Sequence, residues 1–346
     1  MEFVIFPARP GLIDGQFTGR KDDVFEVVSE SQIDIPGAEF EKIVVGSLTR
    51  FHYILDRKAV SAILEIDRYS LERRLFRGVI DAQKRTTIPS IMAVINATPD
   101  SFYAGSRVNA NHRLVDTILD LKPDIIDIGG ESTRPGSMAI DPDTEQKRLK
   151  PVIDYVSQVS DIPISLDSRN WRTVQEFLEQ ISYINDISGF TDEKMIHLAS
   201  QADVKCIVMH MVGTPQTMMN HTHYDFLEYE IIKFLMERVA ELEDHGVPPK
   251  NIVLDPGIGF SKDYRSNLQI IHNLRSFRLG FPLLVGVSRK SFIGKLTGKD
   301  PENRLAGSIA ASLESARNGA DILRVHDPGE VRDALVVSHA IETLSY

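Results

Sequence analysis

With 346 residues the chain has room for one large α/β domain plus an appendage, or for two smaller domains. Its 42% hydrophobic and 25% charged residues exclude a disordered or fibrous class. A formal charge of -10 at pH 7 disfavours bulk attraction to nucleic acid or to an anionic membrane, so any bound anion must be held by a few cations focused in a cleft.

The amino end, MEFVIFPARPGLIDG, has no basic stretch followed by an apolar segment and does not read as a secretory signal. β-like runs at Phe3 to Phe6 and Lys42 to Val45 alternate with turn signals such as Pro10-Gly11. A helical pattern follows from Arg57 to Lys84, with Leu64, Ile66, Leu71, Leu75, Val79 and Ile80 among its apolar positions. Residues 1–88 thus read as a small α+β extension, and residues 89–346 as the main domain.

From residue 89 a rhythm sets in. Short apolar runs at 91–98, 124–130, 162–168, 183–189, 204–210, 251–257, 282–288 and 321–326 alternate with segments of helical spacing, such as Asp225 to His245. Near-continuous apolar strands between helices indicate a parallel sheet covered by helices. Eight such units match an eight-stranded (β/α) barrel of the TIM type. A doubly wound open sheet is the rival, but it carries a glycine-rich fingerprint after its first strand, which is absent here.

Cys206, the sole cysteine, lies in the apolar run Cys206-Ile207-Val208-Met209 and reads as a small core residue. With no disulfide possible within the chain and no apolar run near the roughly 20 residues that span a bilayer, a soluble cytoplasmic protein is expected.

Polar residues stand at the carboxyl end of nearly every run: Asn96, Glu131, Asp167, Asn185, His210, Asp255, Ser288 with Lys290, and His326. Each alone could cap a helix or turn. In a barrel, however, those ends converge on the face where barrel enzymes place their active sites. Asn96, within Asn96-Ala97-Thr98-Pro99-Asp100, suits a hard cation such as Mg²⁺, which shares substrate phosphates, or simply a turn.

The loop Gly129-Gly130-Glu131-Ser132-Thr133-Arg134-Pro135-Gly136 offers an arginine for a carboxylate or phosphate. Asp167, Asn185 and Asp255 form an acceptor set suited to a flat heterocycle with an amino-pyrimidinone edge, and ranked above a divalent metal because Asn is a poor third anionic ligand. Ser288-Arg289-Lys290-Ser291 and Arg324-Val325-His326 supply cations at the last two strands, where barrels often bind phosphate. His221 and His223 lie in a polar loop without a tight ligand cluster, which argues against zinc.

Taken together, INATPDSF, DIIDIGGESTRPGS, LDS, INDISG, LDPGIGF, LLVGVSRKSFIG, RLAGS and ILRVHD resemble the signatures of the dihydropteroate synthase family, over Ile91 to His339. The resemblance implies that hydroxymethyl-dihydropterin pyrophosphate and p-aminobenzoate condense to dihydropteroate, with Mg²⁺ assisting the departing pyrophosphate. Asp167, Asn185, Asp255, Lys290 and Arg324 would bind the pterin, with Met209 nearby. Asn96 would help hold Mg²⁺ and pyrophosphate, and Arg324 and His326 would grip the latter. Thr133, Arg134, Pro135, Phe260, Lys290 and Ser291 would border p-aminobenzoate. Lys290, Asp255 and Arg324 are the expected catalytic residues, and a homodimer is the implied assembly.

One position departs from the pattern: SF-x-D-G-G reads here Ser101-Phe102-Tyr103-Ala104-Gly105-Ser106, so the acid is missing at Ala104. The rival functions are a methyltransferase using methyl-tetrahydrofolate, which has no need of the SRKS and RVH cations, and a non-catalytic pterin-binding protein, which the loss at Ala104 would fit.

Overall fold

The computed structural model describes residues 3–7, 24–33, 40–45, 48–64, 88–97 and 107–344. Contacts divide the chain into two units. One comprises Met1–Thr87 with Tyr224–Phe234 and Asn273–Phe281; the other comprises Ile88–His223, Leu235–His272 and Pro282–Tyr346.

The first unit holds strands β1 (Phe3–Pro7), β2 (Val24–Ser29), β3 (Phe40–Val45) and β4 (Leu48–Asp56), followed by helix α1 (Arg57–Leu64). The strands form an antiparallel sheet in the order β1-β2-β4-β3. Alternation along β2 and β4 puts Phe25, Val27, Tyr53 and Leu55 on one face, and all four are buried. Helix α1 buries Val60, Ile63 and Leu64. The opposite face of the sheet carries a buried pair, Glu26 Oε2 to His52 Nε2 at 3.0 Å. It also presents Arg50 over the rings of Phe226 and Tyr229. β2 and β4, which the sequence reading did not anticipate, bury both faces and so lack a clean apolar–polar alternation. The remainder of the predicted Arg57–Lys84 helix lies outside the described residues.

The second unit is built on eight parallel strands: β5 (Ser90–Asn96), β6 (Ile125–Gly129), β7 (Ile164–Asp167), β8 (Tyr183–Asp186), β9 (Lys205–Met209), β10 (Ile252–Asp255), β11 (Leu284–Val285) and β12 (Ile322–Val325). Each coincides with one of the eight apolar runs. Their order, β10-β9-β8-β7-β6-β5-β12-β11, returns to its start through a parallel bridge between Leu254 and Leu283. The sheet thereby closes, almost completely, into a TIM-type barrel.

Among the described residues, the α-helices beyond α1 are α2 (Arg107–Asp120), α3 (Pro142–Val159), α4 (Trp171–Phe177), α5 (Glu193–Gln201), α6 (Leu227–Asp244), α7 (Tyr264–His272), α8 (Ser291–Thr297), α9 (Leu305–Arg317) and α10 (Pro328–Thr343). Asp141, Asn170 and Asp192 cap α3, α4 and α5 by accepting from the amides of Thr144, Arg172 and Lys194. Several polar strand-end residues therefore have capping neighbours that take over the structural task and leave the strand ends free for chemistry. Among the described residues, no helix is long and apolar enough to cross a membrane.

Candidate functional site

Period-two alternation decides which side chains meet inside the barrel. Met92, Ile125, Tyr183, Ile207, Val253, Leu284 and Ile322 form one buried apolar cluster. Two residues further along these strands the same face carries Asp127, Asn185, Asp255 and Arg324, so the lining turns polar toward the carboxyl ends. Cross-strand register sets Asp127 beside Ser165, Gly129 beside Asp167, and Asp167 beside Asn185.

Arg324 joins this layer. Its Nε donates to Asp127 Oδ2 at 2.6 Å and its Nη2 to Asp167 Oδ2 at 2.7 Å. Asp127 Oδ1 in turn accepts from Ser165 Oγ at 2.6 Å and from Asn185 Nδ2 at 3.2 Å. Asp127 is completely buried, and Asp167 and Asn185 nearly so. Burial pushes the Asp167 carboxyl up to about 7 against the pull of Arg324. Burial also opposes the charge on Arg324, but Asp127 and Asp167 hold it above its ordinary value. With Asn185 Nδ2 committed to Asp127, its Oδ1 remains as the acceptor for a ligand.

The second half of the mouth centres on Asp255. Its Oδ1 accepts from the Gly257 amide at 2.8 Å, and burial raises its carboxyl while that bond and nearby Lys290, Lys262 and Arg324 oppose. Lys290 Nζ lies 4.2 Å from the centroid of the Phe260 ring, a cation–π distance. Burial, followed by repulsion from Arg324, lowers Lys290 to about 8 despite the attraction of Asp255 and Asp167. No carboxylate forms an ion pair with Lys290 among the described residues.

Local backbone aims this lysine. Arg289 adopts φ of +56°, a left-handed conformation uncommon for a side-chain-bearing residue. Ser308 Oγ, which accepts from the Arg289 amide, and Arg304, which donates to its carbonyl, secure the turn. Lys290 then occupies the N-cap position of α8.

His326 Nδ1 lies 3.1 Å from Ser288 Oγ; burial, then Arg324 and Arg289, depress the ring to about 4. It is therefore a neutral hydrogen-bonding group near pH 7, not a cation, and Arg289 is itself paired with Asp327. Met209 and Phe260 belong to a buried cluster with Ile187, Met211 and Met218. On the loop after β6, Arg134 and Pro135 are exposed and Thr133 half-buried; the Gly136 amide donates to Pro215 O at 2.9 Å. Ser291, the first residue of α8, is exposed, and Asn96 is half-buried at the end of β5 opposite Gly129. The segment 98–106, including Ala104, lies outside the described residues.

Two site residues escaped the sequence reading. Asp127 sits mid-strand inside Asp124-Ile125-Ile126-Asp127-Ile128, and Lys262 follows the LDPGIGF string. A lone acid within an apolar run was the available signal for Asp127, since such a charge is almost never buried without a partner. Cys206 is buried, its thiol pushed up to about 12 by burial, as suits an inert core residue. Among the described residues there is no group of three or more His, Cys, Asp or Glu that could hold a metal.

The pterin binding enzyme family matches residues 92–326. The dihydropteroate synthase of Neisseria meningitidis serogroup B is 40% identical over 265 residues, covering 73% of this chain and 93% of its own. Among solved structures, the Clostridium difficile dihydropteroate synthase, determined in the presence of pteroic acid, is 36% identical with a TM-score of 0.69, covering 75% of this chain and 98% of its own. The Xanthomonas albilineans dihydropteroate synthase with 4-aminobenzoic acid is 35% identical with a TM-score of 0.70, covering 74% of this chain and 94% of its own. The fold, the buried acceptor layer and these likenesses agree: the chain belongs to the dihydropteroate synthase family of pterin-binding enzymes, transferases that form a C–N bond in folate biosynthesis.

Proposed function

We propose that the barrel mouth binds the ring of hydroxymethyl-dihydropterin pyrophosphate on Asp167, Asn185, Asp255, Lys290 and Arg324, with Met209 nearby. There it condenses that substrate with p-aminobenzoate to give dihydropteroate and pyrophosphate. The observation that carries this reading is the Asp127–Arg324–Asp167 bridge. It fixes the acceptor layer beside a lysine that is free of any carboxylate among the described residues. A ring edge rich in N–H groups would satisfy Asp167, Asn185 Oδ1 and Asp255, whose burial without such donors is costly.

In the reaction, the bond from the exocyclic methylene to the pyrophosphate oxygen breaks, leaving a carbocation-like centre delocalised into the ring; the amine nitrogen of p-aminobenzoate then bonds to that carbon and sheds a proton. Arg324 and the neutral His326 would grip the pyrophosphate. Lys290 would face the bound pterin with its charge and stabilise negative charge leaving the site. Phe260, Lys290, Ser291, Thr133, Arg134 and Pro135 would border p-aminobenzoate, the exposed Arg134 suiting its carboxylate. No protein nucleophile is needed.

The donor set fits Mg²⁺ carried in with the substrate. Asn96 offers one neutral oxygen at a strand end, and such an ion takes its remaining ligands from phosphate and water. When bound, Mg²⁺ would neutralise charge on the departing pyrophosphate. The same reading assigns residues 1–88 to an N-terminal extension and 89–346 to the catalytic barrel. It also expects a homodimer working in the cytoplasm, where the single buried cysteine stays reduced.

The test is to combine purified protein with Mg²⁺, hydroxymethyl-dihydropterin pyrophosphate and p-aminobenzoate and to quantify dihydropteroate. Lys290→Ala and Asp255→Ala should nearly abolish turnover. Near-normal rates in both variants would refute the site assignment.

A further inference from the structure

Lys262 is a buried lysine with an unusual set of partners. Its Nζ lies 3.0 Å from His210 Nδ1, 3.3 Å from His210 O and 3.0 Å from Phe260 O. The side chain is only 2% exposed, and no carboxylate pairs with it among the described residues. In its protonated form the amine has three protons for these three acceptors; the ring nitrogen accepts only if the His210 proton resides on Nε2. Burial lowers the lysine to about 7 against the attraction of Asp255, which lies beyond hydrogen-bond reach, and Lys290 adds to the fall. Burying an amine with so little ionic compensation is expensive in either protonation state, so a local task for it is to be expected.

That task is visible in what the amine joins. His210 follows the end of β9, next to Met209, and its amide donates to Asp255 O at 3.0 Å. Phe260 lies on the turn after β10, with its ring under Lys290 Nζ. Between them Gly257 passes so close to β9 that a Cβ there would stand 2.0 Å from His210 O. Asn267 braces the same turn from its other side, accepting from the Gly259 amide at 2.6 Å and donating to Lys262 O at 3.3 Å. The Val212 amide donates to Ser261 Oγ at 3.0 Å. The turn from 257 to 262 is thus clamped to the segment after β9, and Lys262 is the clamp's centre.

We propose that Lys262 is a positioning residue. It locks the 257–262 turn onto His210 and thereby fixes the Phe260 ring against Lys290, where p-aminobenzoate must enter. This inference rests on the assignment of Phe260 to the p-aminobenzoate wall. Lys262 is not assigned contact with either substrate. Its loss should therefore act on the substrate bordered by Phe260 more than on the one held by Asp167 and Asn185, which are anchored independently through Asp127 and Arg324.

The experiment measures steady-state constants for both substrates with Lys262→Met, which keeps length and removes the donors, after circular dichroism confirms folding. The KM for p-aminobenzoate should rise by about tenfold, the scale of a lost charged hydrogen bond, with the KM for the pterin substrate changed less than about threefold. An unchanged KM for p-aminobenzoate, or an equal change in both constants, would overturn the proposal. Should that variant fail to fold, Asn267→Ser loosens the same turn from outside and should give the same split at smaller amplitude; its absence there is equally fatal. Phe260→Ala separates the two levels of the argument. If it leaves the KM for p-aminobenzoate unchanged, the site assignment fails. If it raises that constant and Lys262→Met does not, only the role of Lys262 fails.

Discussion

Asp127→Asn is the sharpest probe of how the acceptor layer is organised. The carboxylate receives three donors: Arg324 Nε at 2.6 Å, Ser165 Oγ at 2.6 Å and Asn185 Nδ2 at 3.2 Å. An amide of the same shape offers only one oxygen, and its nitrogen must donate. Arg324 cannot accept, so the new oxygen should face Arg324 and the new NH₂ should face Ser165 and Asn185. The serine hydroxyl can turn to accept. Asn185 can accept only by flipping, which withdraws its Oδ1 from the ligand and presents NH₂ in its place.

Leaving a buried N–H of the ligand without its acceptor costs about 1–3 kcal/mol, so pterin affinity should fall by about five- to 150-fold. Breaking a buried ion pair costs about 3–5 kcal/mol, but Arg324 keeps Asp167 and the shape is preserved, so the loss of stability should sit at or below the low end of that range. For a chain of this size that corresponds to a fall in Tm of several degrees. Calorimetric titration with a pterin ligand and thermal unfolding of the free protein measure the two effects. A variant that binds within about threefold of the parent, with unaltered Tm, would refute the idea that Asp127 sets the orientation of Asn185.

Two further outcomes follow from the geometry. The role proposed for Lys290 is that of a cation, and with its pKa lowered to about 8 by burial it is charged below that value and neutral above it. The kcat/KM for the pterin substrate should therefore fall as pH rises through about 8, and Lys290→Arg should remove that alkaline limb even while lowering the overall rate. A profile flat to pH 9.5 would contradict it. Gly257→Ala combines φ of +72° with a Cβ 2.0 Å from His210 O, whereas Gly136→Ala combines φ of +83° with open space. Left-handed strain alone costs about 1–3 kcal/mol. The first variant should lose clearly more stability than the second, and equal Tm values would show that the close approach of this turn to His210 is not maintained in solution.

What the sequence revealed, and what it hid, follows from the range of the interactions involved. The eight barrel strands were legible because each is a local run of apolar residues ended by a turn, and even the two-residue β11 falls inside its run. The gathering of Asp167, Asn185 and Arg324 was legible too, since parallel strands of a barrel bring their carboxyl ends together whatever the helices between them do. The electrostatic state of these groups was not. His326 and Arg289 read as members of a cationic grip, yet burial and two arginines neutralise the first, and Asp327 engages the second. Neither effect can be inferred from neighbours in the sequence.

Asp127 shows where the limit lies. It is 197 residues from Arg324 and 58 from Asn185, and its role exists only once the sheet has curled to set β12 beside β5, which in turn pairs with β6. The rule that polar strand-end residues carry the chemistry selected Asp167 and overlooked Asp127, which lies one layer deeper on the same inward face. There it orders the residues proposed to bind the pterin: it orients the asparagine amide, and with Asp167 it spans Arg324, so that the cation and the acceptors are held in place without a ligand. Such preorganisation explains why a site that must stabilise charge separation is built with a completely buried acid beneath it. A sequence search for chemistry in a barrel should therefore extend two residues back from each strand end, to the layer that aims the reactive groups.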